Sequence, residues 1–96
     1  MTIINAKGHE FALVTIRDSF DRRAVQYRNK IIVTLRKIGL NEDDIDIDLE
    51  TAAFKKAPAS ASWYFERNYL YYSYNSSRKY VENLYAVFKV IELEVN

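Results

Sequence analysis

Ninety-six residues, 49% hydrophobic and 28% charged, suit one soluble domain with a modest core and exclude a disordered chain. A net charge of +1 gives no global pull toward nucleic acid or anionic membrane, and the lack of cysteine excludes disulfides, cysteine-ligated zinc and thiol catalysis. Apolar runs such as Ile31-Ile32-Val33 are too short to span a bilayer, and no basic segment leads into an apolar one at the start, so the expected location is the cytoplasm.

The opening stretch TIINAKGHEFALV has two apolar runs around Asn5-Ala6-Lys7-Gly8, which predicts a short hairpin or an extended arm. A helical pattern follows over 18–38. Phe20, Ala24, Tyr27, Ile31, Leu35 and Ile38 recur at spacings of three and four and define one apolar face. Asp18 or Ser19 can cap its start, Arg36 and Lys37 complement the dipole in its last turn, and Gly39 suits its end.

Residues 44–50, DIDIDLE, alternate polar and apolar, which predicts a half-buried strand that could run on to Phe54. Lys55-Lys56-Ala57-Pro58 makes a turn, since proline cannot donate to a ladder. The aromatic run WYFERNYLYYSY over 63–74 is interrupted only by Glu66-Arg67-Asn68. Those three read as a hairpin connection between strands at 59–65 and 69–74. A helix across 62–74, and with it an all-α fold, is the rival, but the density of Trp, Tyr and Phe favours strands. Asn75-Ser76-Ser77 offers caps for a second helix over 76–92, with Val81, Leu84, Phe88, Ile91 and Val95 on one face and a strand-like alternation at its tail.

The expected fold is therefore α+β: a short N-terminal extended piece or hairpin, a helix, a three-stranded antiparallel meander and a helix. Both helices should cover one face of the sheet in a single domain. Alternation then sorts the strands. Ile45, Ile47 and Leu49 should face the helices, as should Ala61, Trp63 and Phe65 and then Leu70, Tyr72 and Tyr74. Asp44, Asp46, Asp48, Glu50, Ser60, Ser62, Tyr64, Tyr69, Tyr71 and Ser73 should stand on the open face.

Catalytic signatures are not found. His9 is the only histidine and reads as a solvated turn residue, no serine sits in a Gly-x-Ser-x-Gly setting, and two glycines cannot build a phosphate loop. Asp44-x-Asp46-x-Asp48 looks like the start of a calcium loop, but Leu49 and Lys55 stand where such a loop needs Gly and Glu. No catalytic, cofactor or metal residue is expected, and the chain is not expected to be an enzyme.

Charge is segregated. Residues 42–50 carry six acids and no base, whereas Arg23, Lys30 and Lys37 form a stripe beside the apolar face of the first helix. The order helix, meander, helix resembles that of the double-stranded-RNA-binding domain, whose second helix begins with a basic cluster; Ser76-Ser77-Arg78-Lys79 stands at that place here. The Gly-rich pattern of that family's loops is absent. Two functions are thus expected in order: protein–protein contact, as a homo-oligomer through Tyr64, Tyr69 and Tyr71 on the open face, and then nucleic-acid binding through Arg23, Lys30, Lys37, Arg78 and Lys79. No membrane contact is expected.

Overall fold

A computed structural model describes residues 2–13, 15–50 and 52–95. It is an α+β fold with the expected order. Strands β1 (Thr2–Ala6) and β2 (His9–Leu13) form an N-terminal hairpin, followed by helix α1 (Phe20–Arg36). Strands β3 (Ile45–Asp46), β4 (Ala59–Phe65) and β5 (Asn68–Tyr74) make an antiparallel meander, and helix α2 (Tyr80–Val95) closes the chain. Residues 62–74 are strand and turn, so the all-α alternative does not hold.

The helix ends follow local chemistry. At the end of α1, Gly39 takes φ 99°, its N–H reaches the Arg36 carbonyl at 3.1 Å, and the Leu40 N–H reaches that of Leu35 at 3.4 Å. This is the Schellman arrangement, and it returns buried Leu40 to the core beside Leu35. The start of α1 departs from expectation. Ser19 lies in the left-handed region at φ 54° and makes no side-chain cap; its hydroxyl accepts from Arg22 instead.

The helices run parallel. The Lys79 ammonium lies over the Phe20 ring, Tyr27 meets Tyr85 and Phe88, and the Lys30 ammonium lies near Phe88, so both helices advance in the same direction. At about 100° per residue, Val81, Tyr85 and Phe88 of α2 form the flank toward α1. Leu84, Val87 and Ile91 form the side toward the sheet. Ala86 and Val90 point the opposite way from α1 and pack on Ala6 and Phe11 of the hairpin. Helix α2 is consequently the centre of a layer, with α1 on one flank, the β1–β2 hairpin on the other and the sheet above, and it is buried nearly all round. Fully buried Ala59 and Ala61 let it approach β4 closely, and Tyr74 and Tyr72 stand opposite them on β5.

Two loop predictions need correction. The β4–β5 connection has two residues, not three: Glu66 and Arg67 take φ 50° and 67°, and Asn68 already pairs with Phe65. Two positive φ values match the right-handed twist of a hairpin, whereas a third loop residue would displace the register. The Lys7-Gly8 turn of the first hairpin has the same character, with φ 52° and 81°.

The strand predicted over 44–50 shrinks to two residues. Glu42–Asp44 is a 3-10 turn, and only Ile45 and Asp46 pair with β4. Past Asp46 the chain dips toward α2, where the Tyr80 hydroxyl donates to the Asp48 carbonyl at 2.6 Å. Ile45 and Ile47 remain partly buried against the core as alternation requires, but Leu49, predicted inward, is 40% exposed, and Glu50, predicted outward, is half-buried. The possible continuation to Phe54 is a turn closed by Lys55 N–H on the Ala52 carbonyl at 3.0 Å.

A candidate protein-contact site on the sheet

Strand register fixes what the open face presents. Asp46, Ser62 and Tyr71 stand in one row across the three strands, and Tyr64 and Tyr69 stand opposite each other in the next. Tyr64, Tyr69 and Tyr71 are 53%, 67% and 63% exposed. Three neighbouring rings are therefore more than half in water on the side away from the helices. The Tyr69 hydroxyl donates to Ser62 Oγ at 2.8 Å, so this ring lies diagonally over β4 and covers the serine, which is buried although it points outward.

The inward row beneath is Ile45, Trp63 and Leu70. The predicted sides hold for Ala61, Trp63, Phe65, Tyr72 and Tyr74, all of which join the core. Burial, reinforced by Tyr74 nearby, raises the Tyr72 phenol above its ordinary value. Leu70 lies on the inward side but at the sheet edge, where it is 41% exposed. Alternation assigns a side but not an edge, so its exposure was invisible to the sequence.

Next to Leu70 the two layers part. A cavity of about 330 Å³ opens between the C-terminal ends of the helices and the β4–β5 hairpin, with Leu35, Trp63, Phe65 and Ile91 among its walls. Lys7, Glu94 and Tyr71 also line it. His9, predicted to be a solvated turn residue, begins β2 and is hydrogen-bonded to the Glu94 carboxylate at 2.9 Å. That bond, aided by Lys7, lowers the Glu94 pKa. The contact ties the hairpin to the last turn of α2.

The acids gather at the β3 edge, with Asp46 at the far end of the row that holds Tyr71. Glu42, Asp43, Asp44, Asp46 and Asp48 are exposed along the β3 edge, while β5 carries no charge from Asn68 to Tyr74. Among the described residues no group of three or more His, Cys, Asp or Glu is arranged to hold a metal ion.

The basic residues singled out by sequence are distributed along the helices and mostly engaged. Arg23 bonds the Asp18 carboxylate at 3.3 Å and its carbonyl at 3.2 Å. The Lys30 ammonium sits 5.8 Å from the centres of the Tyr27 and Phe88 rings. The Lys79 ammonium donates to the Ile16 carbonyl at 2.8 Å and lies 3.8 Å from Glu82. Glu82 is itself buried, accepting from the Ile16 N–H and the Ser77 hydroxyl. Buried Asn83 completes the cluster, accepting from the Ser77 N–H at 2.8 Å and donating to the Ala57 carbonyl at 2.7 Å. Lys79 and Glu82 thus fasten the Ile16 loop, and Asn83 the Ala57 loop, to the start of α2. Arg78 and Lys37 are exposed, but with parallel helices they lie at opposite ends of the layer.

No protein-family model matches this chain, nor does any curated protein or solved structure.

Proposed function

We propose that this chain is a small non-enzymatic interaction module that associates with a second copy of itself through the tyrosine-bearing part of its sheet. The observation that carries this reading is the set of neighbouring exposed rings, Tyr64, Tyr69 and Tyr71, on the face away from the helices. Tyrosine supplies rigid contact area at little entropic cost, and contiguous exposed aromatic surface marks contact sites. The charge pattern supports a second copy placed off-centre. A direct face-to-face stack would set two acidic β3 edges about 10 Å apart, whereas an offset toward β5 leaves them at the rim. No helix among the described residues is long and apolar enough to cross a membrane. The contact is proposed to form in the cytoplasm, as the sequence leads one to expect.

Light scattering coupled to size exclusion tests this reading. The unmodified chain should run as a concentration-dependent dimer, and Tyr71→Glu should yield a folded monomer. A monomer at millimolar concentration, or a variant that stays dimeric, overturns it. The same runs with duplex RNA or DNA at low salt test the rival surface on α1. Binding that weakens when Arg23, Lys30 and Lys37 become Gln would move the function to the helices.

A further inference from the structure

The outer side of strand β5 has no strand partner among the described residues, although Ala6 and Phe11 of the N-terminal hairpin pack beneath its Tyr72 and Tyr74. Among the described residues the strand pairs only with β4, over seven residues and without a skipped position. Such an edge exposes a row of unmade backbone hydrogen bonds. Natural edges are usually blunted by a lysine, a proline, a bulge or short length. Asn68–Tyr74 has none of these. The other edge of the same sheet has two of the usual guards, since β3 is two residues long and lies among carboxylates. One edge is closed to pairing and the other is open.

We infer that two copies join by antiparallel pairing of their β5 strands about Tyr71, forming one six-stranded sheet. The inference rests on the proposed self-association but sets its seam at the β5 edge, with Tyr71 central, Tyr69 beside it and Tyr64 of β4 left on the open face. Centring on Tyr71 overlaps the whole strand. Tyr71 meets its own counterpart, Tyr69 meets Ser73, Leu70 meets Tyr72 and Asn68 meets Tyr74. Open-face residues stay with open-face residues, and inward residues with inward ones. No charged pair is formed.

The charge distribution fits this geometry. Strands about 4.8 Å apart place the two β3 edges five spacings, about 24 Å, from each other. That exceeds the screening length of about 8 Å at physiological salt, so the acidic edges of the two copies scarcely repel. The cavity beside Leu70 fits it as well. Tyr72 of the second copy would stand against Leu70, which is 41% exposed in the monomer, and add a wall where the layers part.

The chain has no cysteine, so single substitutions report on this pairing without background. Opposed residues of an antiparallel pair have Cα atoms about 4.5–5.5 Å apart, within the range of a disulfide. Under mild oxidation Tyr71→Cys should give a covalent dimer. A mixture of Tyr69→Cys and Ser73→Cys should give the mixed dimer in preference to either self-pair, and Asp46→Cys should give none. On the unmodified chain, amide exchange should slow at least tenfold in β5 at dimeric concentrations and stay unchanged in β3. A dimer by light scattering that lacks both the Tyr71→Cys cross-link and the β5 protection overturns edge pairing while sparing self-association. A chain that stays monomeric overturns both.

Discussion

The two edges of the sheet differ in every property that governs strand pairing. At β3 the ladder lasts two residues, the side chains around it are acidic, and Tyr80 holds the chain beyond it by the Asp48 carbonyl. At β5 the ladder lasts seven residues, no side chain is charged, and among the described residues no strand pairs with its outer backbone groups. Yet β3 is drawn from the most regular alternation in the chain, and β5 from a run whose sides are hard to tell apart. Alternation reports which side chains prefer water; it does not report whether a partner strand is present.

The largest effect that tests this contrast lies in the core on which both edges rest. Leu84→Ala, at a fully buried position, should lower stability by about 2–5 kcal/mol in chemical denaturation. Leu49→Ala, beyond β3, should cost about 1 kcal/mol or less because that side chain is already 40% exposed. Equal losses would place the chain after β3 in the core and remove the difference between the edges.

The next effect is pH-dependent. Burial first, with the Glu50 and Asp48 charges adding to it, pushes the Tyr80 phenol from its ordinary 10 up to about 12. The fold therefore favours the protonated hydroxyl that donates to Asp48. This contribution is complete below pH 10, where the unfolded phenol is also protonated, and is lost between pH 10 and 12 as only the unfolded chain ionises. A shift of this size corresponds to about 2–3 kcal/mol. Urea titrations at pH 9, 11 and 12 should show a steeper decline for the unmodified chain than for Tyr80→Phe. Parallel declines would mean that the phenol does not hold this edge. At neutral pH, Tyr80→Phe should cost about 1 kcal/mol, the ordinary loss of one hydrogen bond.

The smallest effect sharpens the β5 side. Arg67 occupies the left-handed region, which costs a side-chain-bearing residue about 1–2 kcal/mol, partly offset by the greater freedom that glycine loses on folding. Arg67→Gly should thus raise stability by about 0.5–1 kcal/mol, seen as a higher melting temperature with dimerisation unchanged. A lower melting temperature would indicate another turn and hence another register for β5.

Much of the architecture was legible in the sequence because it rests on local periodicity. The apolar stripe from Phe20 to Leu35, the Gly39 stop and the interrupted aromatic run each carry their own signal. The face assignments of Ala61, Trp63, Phe65, Tyr72 and Tyr74 were legible too. Less legible was the second apolar flank of α2. Ala86 and Val90 lie outside the stripe of Val81, Leu84, Phe88 and Ile91, and their meaning depends on Ala6 and Phe11 arriving from the far end of the chain. The candidate site was half legible: Tyr64, Tyr69 and Tyr71 were placed on the open face, but Leu70 and the cavity beside it were not foreseen.

The sequence by itself determined the order of elements, the α+β class and the side of the sheet on which each aromatic residue falls. These follow from spacings within a few residues, set by the 3.6-residue turn of a helix and the two-residue pleat of a strand. Only the tertiary structure decided that β3 stops after Asp46, that Lys79 and Arg23 are engaged within the fold, and that β5 is left as the open edge. Each of these depends on which distant group reaches a given backbone or charge first: the Tyr80 hydroxyl for Asp48, the Ile16 carbonyl for Lys79, and, among the described residues, no strand for the outer side of β5.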